Sequence, residues 1–458
     1  MRPGVFHLRR YHDATKHSPH SVAMSGHRLD WSIKPRPFKV YRDLEAIEPP
    51  LDIGRLCVLA NGVLRWRRYG RGEAYGFRAA PCTGALYHIE LYVATAARPD
   101  LPAGLYHYGA HDDALRRLRA DDVRAALLAA TGDLEPVGSA PLVFVLTSTF
   151  WRNSWKYQAR AYRHAFWDGG AVAANLLALL AADRTPASIV MGFAEYDVSR
   201  LLGIDGVREA ALTVVAVGEG ARVPASPGAL KELQLATEPL SMREVRYPEL
   251  EAAQQASALA AAEVAAWRQR GGRPSHTVPP AISDRAIEEV IRRRRSTRRF
   301  EDRSITRHQL ERMLAAATSS IPGDAFDPLP VEPFLIVNAV EGLEPGLYGP
   351  DLGLIRRGRL RREAGELALG QELGAEAAVN VYFLSDLDAA FERLGDRGYR
   401  VAQMAGGIAG ERLELAATAQ DLGATGLTFF DDGVTAFFEP ASAGRQVMYL
   451  AAVGHGQS

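Results

Sequence analysis

GDRGYRVAQMAGGIAGERL, residues 395–413, repeats the frame of QARAYRHAFWDGGAVAANL, residues 158–176. Both carry Arg-x-Tyr-Arg, from Arg160 to Arg163 and from Arg397 to Arg400, then a Gly-Gly pair, then an apolar helical run. Working outward, LPAGLYHY (101–108) matches LEPGLYGP (343–350), and SIVMGFAEYD (188–197) has its counterpart in TGLTFFDDG (425–433). Each half closes on an apolar run ending in a glycine turn, ALTVVAVGEG (211–220) and VMYLAAVGHG (447–456). Several matches in one order imply a domain-sized duplication. One pair is not duplicated: Lys156 and Tyr157, just ahead of the first block, become Arg393 and Leu394 ahead of the second.

Between the halves, residues 248–270 read as an Ala-rich helix and 271–282, with paired glycines and several prolines, as a linker. The expected domains are 1–270 and 283–458, the first lengthened by an insertion between Gly26 and Tyr75 rich in Arg, Pro and aromatics. SDRAIEEVIRRRRS (283–296) reads as a helix capped by Ser283 or Asp284. RHQLERMLAAATSS (307–320) is another, with Leu310, Met313 and Leu314 on one face. EPFLIVNAV, NVYFLSD and MYLAAVG in the second half, and PLVFVLTST and LTVVAVG in the first, read as strands. Helices alternating with short apolar strands give a mixed α/β or α+β architecture in two related halves.

At 458 residues the chain can build two to three cores. Its 54 basic and 54 acidic residues cancel, which argues against nucleic acid or an anionic membrane as the main partner. Two cysteines, Cys57 and Cys82, make neither a disulfide framework nor a cysteine-rich zinc site. The basic N-terminus lacks the apolar core of a signal peptide, and the longest apolar run, residues 171–182, is too short to span a bilayer. A cytoplasmic protein is expected.

The strongest local chemistry is RRRRSTRRF, residues 292–300. Guanidinium forks around a serine suit the oxygens of a phosphate, with Arg294, Ser296 and Arg298 near enough to act together. A basic solvated helix end would look the same. The first half has a weaker version in KHSPHSV (16–22), where lysine and histidine replace the forks.

RRSTRRF resembles the FMN-binding entry motif of the nitroreductase superfamily. WKYQARAYR (155–163), with RAAPCTGALYHIELY (78–92), is similar to its SagB-type branch, the thiazole/oxazole-forming dehydrogenases. YHDATKHS (11–18) and YPELEAA (247–253) match the style of that branch, which commonly has Pro-Ser-Gly-Gly where this chain has Pro81, Cys82, Thr83 and Gly84. The resemblance covers nearly the whole chain as two tandem copies. It implies an α+β, nitroreductase-like fold with the copies forming a fused pseudo-dimer. FMN would be held by Arg294, Arg295, Ser296 and Arg298, by Pro81, Cys82, Thr83 and Gly84, and by Gly423, Thr425 and Gly426. Gly454 or His455 could lie near the phosphate. The implied catalytic pair is Lys156 and Tyr157, one the base and the other its partner. With the stronger motifs divided between the halves in this way, one flavin per chain is expected.

The implied reaction dehydrogenates an azoline in a peptide or carrier-bound substrate, with a biosynthetic complex as a partner. An NAD(P)H-dependent nitro or quinone reductase and a flavin-free scaffold are the competing readings. No G-x-G-x-x-G follows a strand, so no nicotinamide-binding Rossmann unit is indicated. The N-terminal histidines have irregular spacing, and no metal is expected.

Overall fold

The computed structural model describes residues 7–68, 70, 74–224 and 230–457. Two compact units divide the chain: residues 29–279 with 321–327, and residues 7–28 with 280–320 and 328–457. The first unit is built on a sheet of β1 (Ile89–Thr95), β2 (Gly104–Gly109), β3 (Ala114–Arg119), β4 (Leu142–Thr149), β5 (Ala187–Val190) and β6 (Glu209–Val217). The second has β7 (Glu332–Val337), β8 (Gly346–Tyr348), β9 (Leu354–Arg357), β10 (Val379–Ser385), β11 (Gly423–Gly426) and β12 (Gln446–Gly454).

Strand order is β3-β2-β1-β4-β6-β5 in one sheet and β9-β8-β7-β10-β12-β11 in the other, which is the same path traced twice. Neighbours within both six-stranded sheets run antiparallel. The repeat extends to irregularities. Register slips between Leu146 and Thr147 on β4, and between Phe383 and Leu384 on β10. It slips again between Leu105 and Tyr106 on β2, and between Leu347 and Tyr348 on β8. Bulges re-aim strands, so their recurrence means both sheets bend at the same places. The fold is α+β, in two tandem copies.

Against each sheet lies a long helix, Ala161–Ala182 (α2) and Arg397–Ala419 (α5), buried on nearly every side. Burial all round is expected where a helix fills a core rather than covers it. Together with the shorter helix Phe150–Tyr157 (α1), α2 forms a helical stretch long and apolar enough to cross a membrane by length and composition, although its apolar core alone was too short. Its most apolar window is 89% buried inside the protein, as a core helix should be. The expected helix over 248–270 is two, Pro248–Ala256 and Ala261–Gly271, and the one expected over 307–320 is Arg307–Ala317 (α4).

Two segments lie in the unit that does not hold their neighbours in sequence. Residues 7–28, including KHSPHSV, belong with the second sheet. Leu8 is buried there and its amide donates to Asp396 at 2.7 Å, while His12 meets the Tyr399 hydroxyl at 3.3 Å and Gln446 at 3.2 Å. Lys16 pairs with Asp13 and Asp432, and the His17 amide donates to Asp431. Residues 321–327 belong with the first sheet. Buried Asp324 accepts from the amides of Met191 at 2.7 Å and Gly192 at 2.9 Å. Gly192 has no room for a side chain, since a Cβ would lie 2.7 Å from Trp267. Asp324→Asn keeps one acceptor and turns an NH2 toward the other amide, so urea melts should show a loss of about 1–3 kcal/mol.

Candidate active site

The shared frame of the repeat is structural. Tyr162 and Tyr399 are fully buried, each holding a flanking segment: Tyr162 meets Ser257 at 2.7 Å, and Tyr399 meets His12. The unshared pair sits at the end of α1. Lys156 is exposed, with its Nζ 5.2 Å from the centre of the Tyr157 ring. Tyr157 is half-buried, and its ring packs T-shaped against that of buried His164, with centroids 4.7 Å apart. His164 Nδ1 lies 2.8 Å from Asn153 Oδ1. Burial, with the Asp168 charge adding to it, holds the Tyr157 hydroxyl well above the ordinary tyrosine range, so it stays a neutral phenol. Any desolvation at this pair therefore falls on Tyr157 rather than on exposed Lys156.

Pro81, Cys82, Thr83 and Gly84 lie in the loop before β1 and come against this tyrosine. Gly84 has φ +65°, and a Cβ there would lie 2.6 Å from the Tyr157 hydroxyl. Only glycine meets both demands. Cys82 and Thr83 turn inward to Asp168 on α2. The Thr83 amide (3.0 Å) and hydroxyl (2.9 Å) donate to its carboxylate, as does the Cys82 thiol at 3.0 Å. His88 Nε2 completes the set at 2.7 Å, and its Nδ1 lies 2.8 Å from Ser148 Oγ.

Asp168, His164 and Asn153, on helices, and His88, in the loop before β1, were not singled out by the sequence, because a lone polar residue in an apolar setting carries no spacing signal. The repeat supplies one in retrospect. In the frame set by the Arg-x-Tyr-Arg blocks, Asn153, Lys156, Tyr157, His164 and Asp168 correspond to Ala390, Arg393, Leu394, Val401 and Ala405. The whole polar cluster is present in one half only. The junction after it is also asymmetric. Gln158 has φ +51° and ψ −141°, where the second half has Gly395 at φ +65° and ψ −159°. A non-glycine residue there costs about 1–3 kcal/mol. Gln158→Gly should therefore raise stability by about 1 kcal/mol, read as a higher Tm, after the extra chain entropy of glycine is subtracted.

The second unit carries the arginine motif. Arg294 ends the helix Ile287–Arg293 (α3), and its buried guanidinium lies 3.3 Å from Glu414 and 3.6 Å from Glu411, both on α5. Burial pushes both carboxyls upward, against the pull of Arg294. Their counterparts in the first half are Ala174 and Leu177. Arg295 and Arg298 are exposed, and Arg295 donates to the carbonyls of Arg292 and Arg293. Ser296 is half-buried and bridges Ala424, and the Thr297 amide donates to the Ala424 carbonyl at 2.9 Å. Ser296 thus lies beside Gly423, Thr425 and Gly426. These glycines are already occupied by the protein: a Cβ at Gly423 would meet Thr297 Oγ1, and one at Gly426 would meet the Tyr449 hydroxyl. Thr425 is buried.

The model of the nitroreductase family matches residues 45–219 and again residues 291–455. The chain belongs to the nitroreductase family. Its two matches are the two halves of the duplication. A nitroreductase-type protein of Anabaena variabilis ATCC 29413 aligns over 99% of this chain and 100% of its own, with a TM-score of 0.82 and 28% identity. A family protein of Methanocaldococcus jannaschii is 27% identical over 108 residues, which is 24% of this chain and 54% of that protein, so the match spans about half of this curated relative. A nitroreductase-type protein of Desulfovibrio desulfuricans, solved in complex with FMN, covers 38% of this chain and 89% of its own at 21% identity and a TM-score of 0.27.

The residues fit an FMN phosphate in part. Exposed Arg295 and Arg298 and the Ser296 side chain could hold it, and Arg298 forms no ion pair among the described residues. Arg294 is compensated by two carboxyls, and Gly423 and Gly426 are packed by side chains of the protein itself.

Proposed function

We propose that this nitroreductase-family chain is an FMN-dependent oxidoreductase of the SagB type, which dehydrogenates an azoline in a peptide or carrier-bound substrate to the azole. What carries the reading is the polar cluster around Tyr157, present in one half and replaced by Ala390, Arg393, Leu394, Val401 and Ala405 in the other. Aromatising an azoline removes a hydride and a proton. FMN, when bound, supplies the two-electron acceptance, and the chain's own residues are left to handle the proton.

Tyr157 is suited to a relay. As a neutral phenol its oxygen can receive the substrate proton while its own proton leaves to water at the half-exposed end of α1, and Gly84 fixes where that oxygen sits. The Lys156 ammonium over the ring favours electron density on the phenol oxygen during the transfer. The reading carries with it a cytoplasmic location, a biosynthetic complex as partner, and one flavin per chain.

The test is to incubate the purified protein with FMN and a thiazoline-containing peptide. Loss of two hydrogens from the peptide and one flavin per chain are expected. NADPH-driven reduction of nitroaromatics without azoline oxidation would replace the reading with a reductase. A colourless protein that takes up no flavin would replace it with a scaffold.

A further inference from the structure

Three side chains of different chemistry face one another beneath the loop before β1. Cys82 Sγ, His88 Nε2 and Asp168 Oδ2 all lie within 4.8 Å of one another, on a half-buried residue and two buried ones. We propose that they form a site for a single zinc ion, with the fourth position left to water on the half-buried Cys82 side.

The donor set is one that zinc takes: a thiolate at about 2.3 Å, an imidazole nitrogen at about 2.0–2.1 Å and a carboxylate oxygen at about 2.0–2.2 Å. The mixture of soft, borderline and hard atoms favours zinc over calcium or magnesium, which take oxygen ligands. Each donor is also held from behind, as metal ligands usually are. The Tyr87 amide donates to Cys82 Sγ at 3.0 Å. Ser148 Oγ sits 2.8 Å from His88 Nδ1, the nitrogen that faces away from the site. Thr83 fixes the other carboxylate oxygen, Oδ1, with its hydroxyl at 2.9 Å.

His88 Nε2 and Cys82 Sγ stand 2.7 Å and 3.0 Å from Asp168 Oδ2, hydrogen-bonding distances that must open by about half an ångström to admit an ion at those bond lengths. On binding, the Cys82 thiol proton leaves to solvent. The proton on His88 Nε2 moves to Nδ1, which then donates to Ser148, and the freed Nε2 lone pair joins the metal. The ion would clip the loop carrying Gly84 to α2, beside Tyr157.

Cobalt is the probe, because a cobalt–thiolate bond gives a near-ultraviolet charge-transfer band that histidine and carboxylate ligands do not. Full-length protein, stripped with EDTA, is titrated with Co2+ and then with Zn2+. The expected result is a band that saturates at one equivalent per chain, is bleached by zinc, persists in Cys57→Ser and is lost in Cys82→Ser. Cys57 and Cys82 are the two cysteines of the chain, so the band is assigned without ambiguity. Absence of a saturable band in the unmodified protein, or its survival in Cys82→Ser, overturns the proposal. The first of these results does not depend on any variant folding. As a second measurement, zinc should raise the Tm of the unmodified protein and leave that of Cys82→Ser where it was; an equal rise in both counts against the site.

Discussion

Tyr157→Phe lowers kcat for azoline oxidation by about 10²–10⁴-fold, the range a positioned acid–base group supplies. Phenylalanine keeps the edge contact with His164 and removes only the hydroxyl, so flavin content and Tm should stay near those of the unmodified protein. On the proposed reading the hydroxyl moves a proton and does not bind substrate, so the loss should appear in kcat rather than KM. Burial and Asp168 keep the phenol protonated, so activity that depends on it should persist through neutral pH. Steady-state kinetics with flavin content measured on the same samples checks this, and a variant within twofold of wild type removes Tyr157 from the chemistry.

The second large effect is on stability. Arg294→Ala strips the guanidinium from buried Glu411 and Glu414, and removing one partner of a buried ion pair costs about 3–5 kcal/mol. Both carboxyls are held above the ordinary 4.5 by burial. Groups raised in the fold contribute stability that is full below pH 4.5 and is lost as pH rises through their folded values. Urea melts of Arg294→Ala should therefore show the smallest loss in acid and the largest near neutrality. Glu411→Gln should flatten the pH slope of the native protein over the same window. A variant that loses flavin affinity but no stability would instead make Arg294 a phosphate ligand.

The duplication was legible because turn and core residues recur in order, and the two sheets share even their register slips. Which unit holds residues 7–28 and 321–327 was not legible. Leu8 and Asp324 are ordinary residues whose partners, Asp396 and Met191, lie hundreds or more than a hundred positions away. The arginine motif is a cluster of cations by composition alone, and composition does not reveal that α5 brings two carboxyls to Arg294. Gly423 and Gly426 have no room for side chains, since Thr297 and Tyr449 already fill that space, which the sequence does not show. Lys156 and Tyr157 stood out by their absence from the second copy. Asp168 and His164 stand out in the same way, against Ala405 and Val401.

The most direct measurement sets Tyr157→Phe against Arg393→Ala, a change at the corresponding end of the other half, in anaerobic single turnovers with an azoline substrate at equal flavin content. The account predicts that flavin bleaching slows by about a hundredfold or more in the first variant and stays close to the native rate in the second. Equal slowing in both, or none in the first, would contradict a proton-handling site confined to one half.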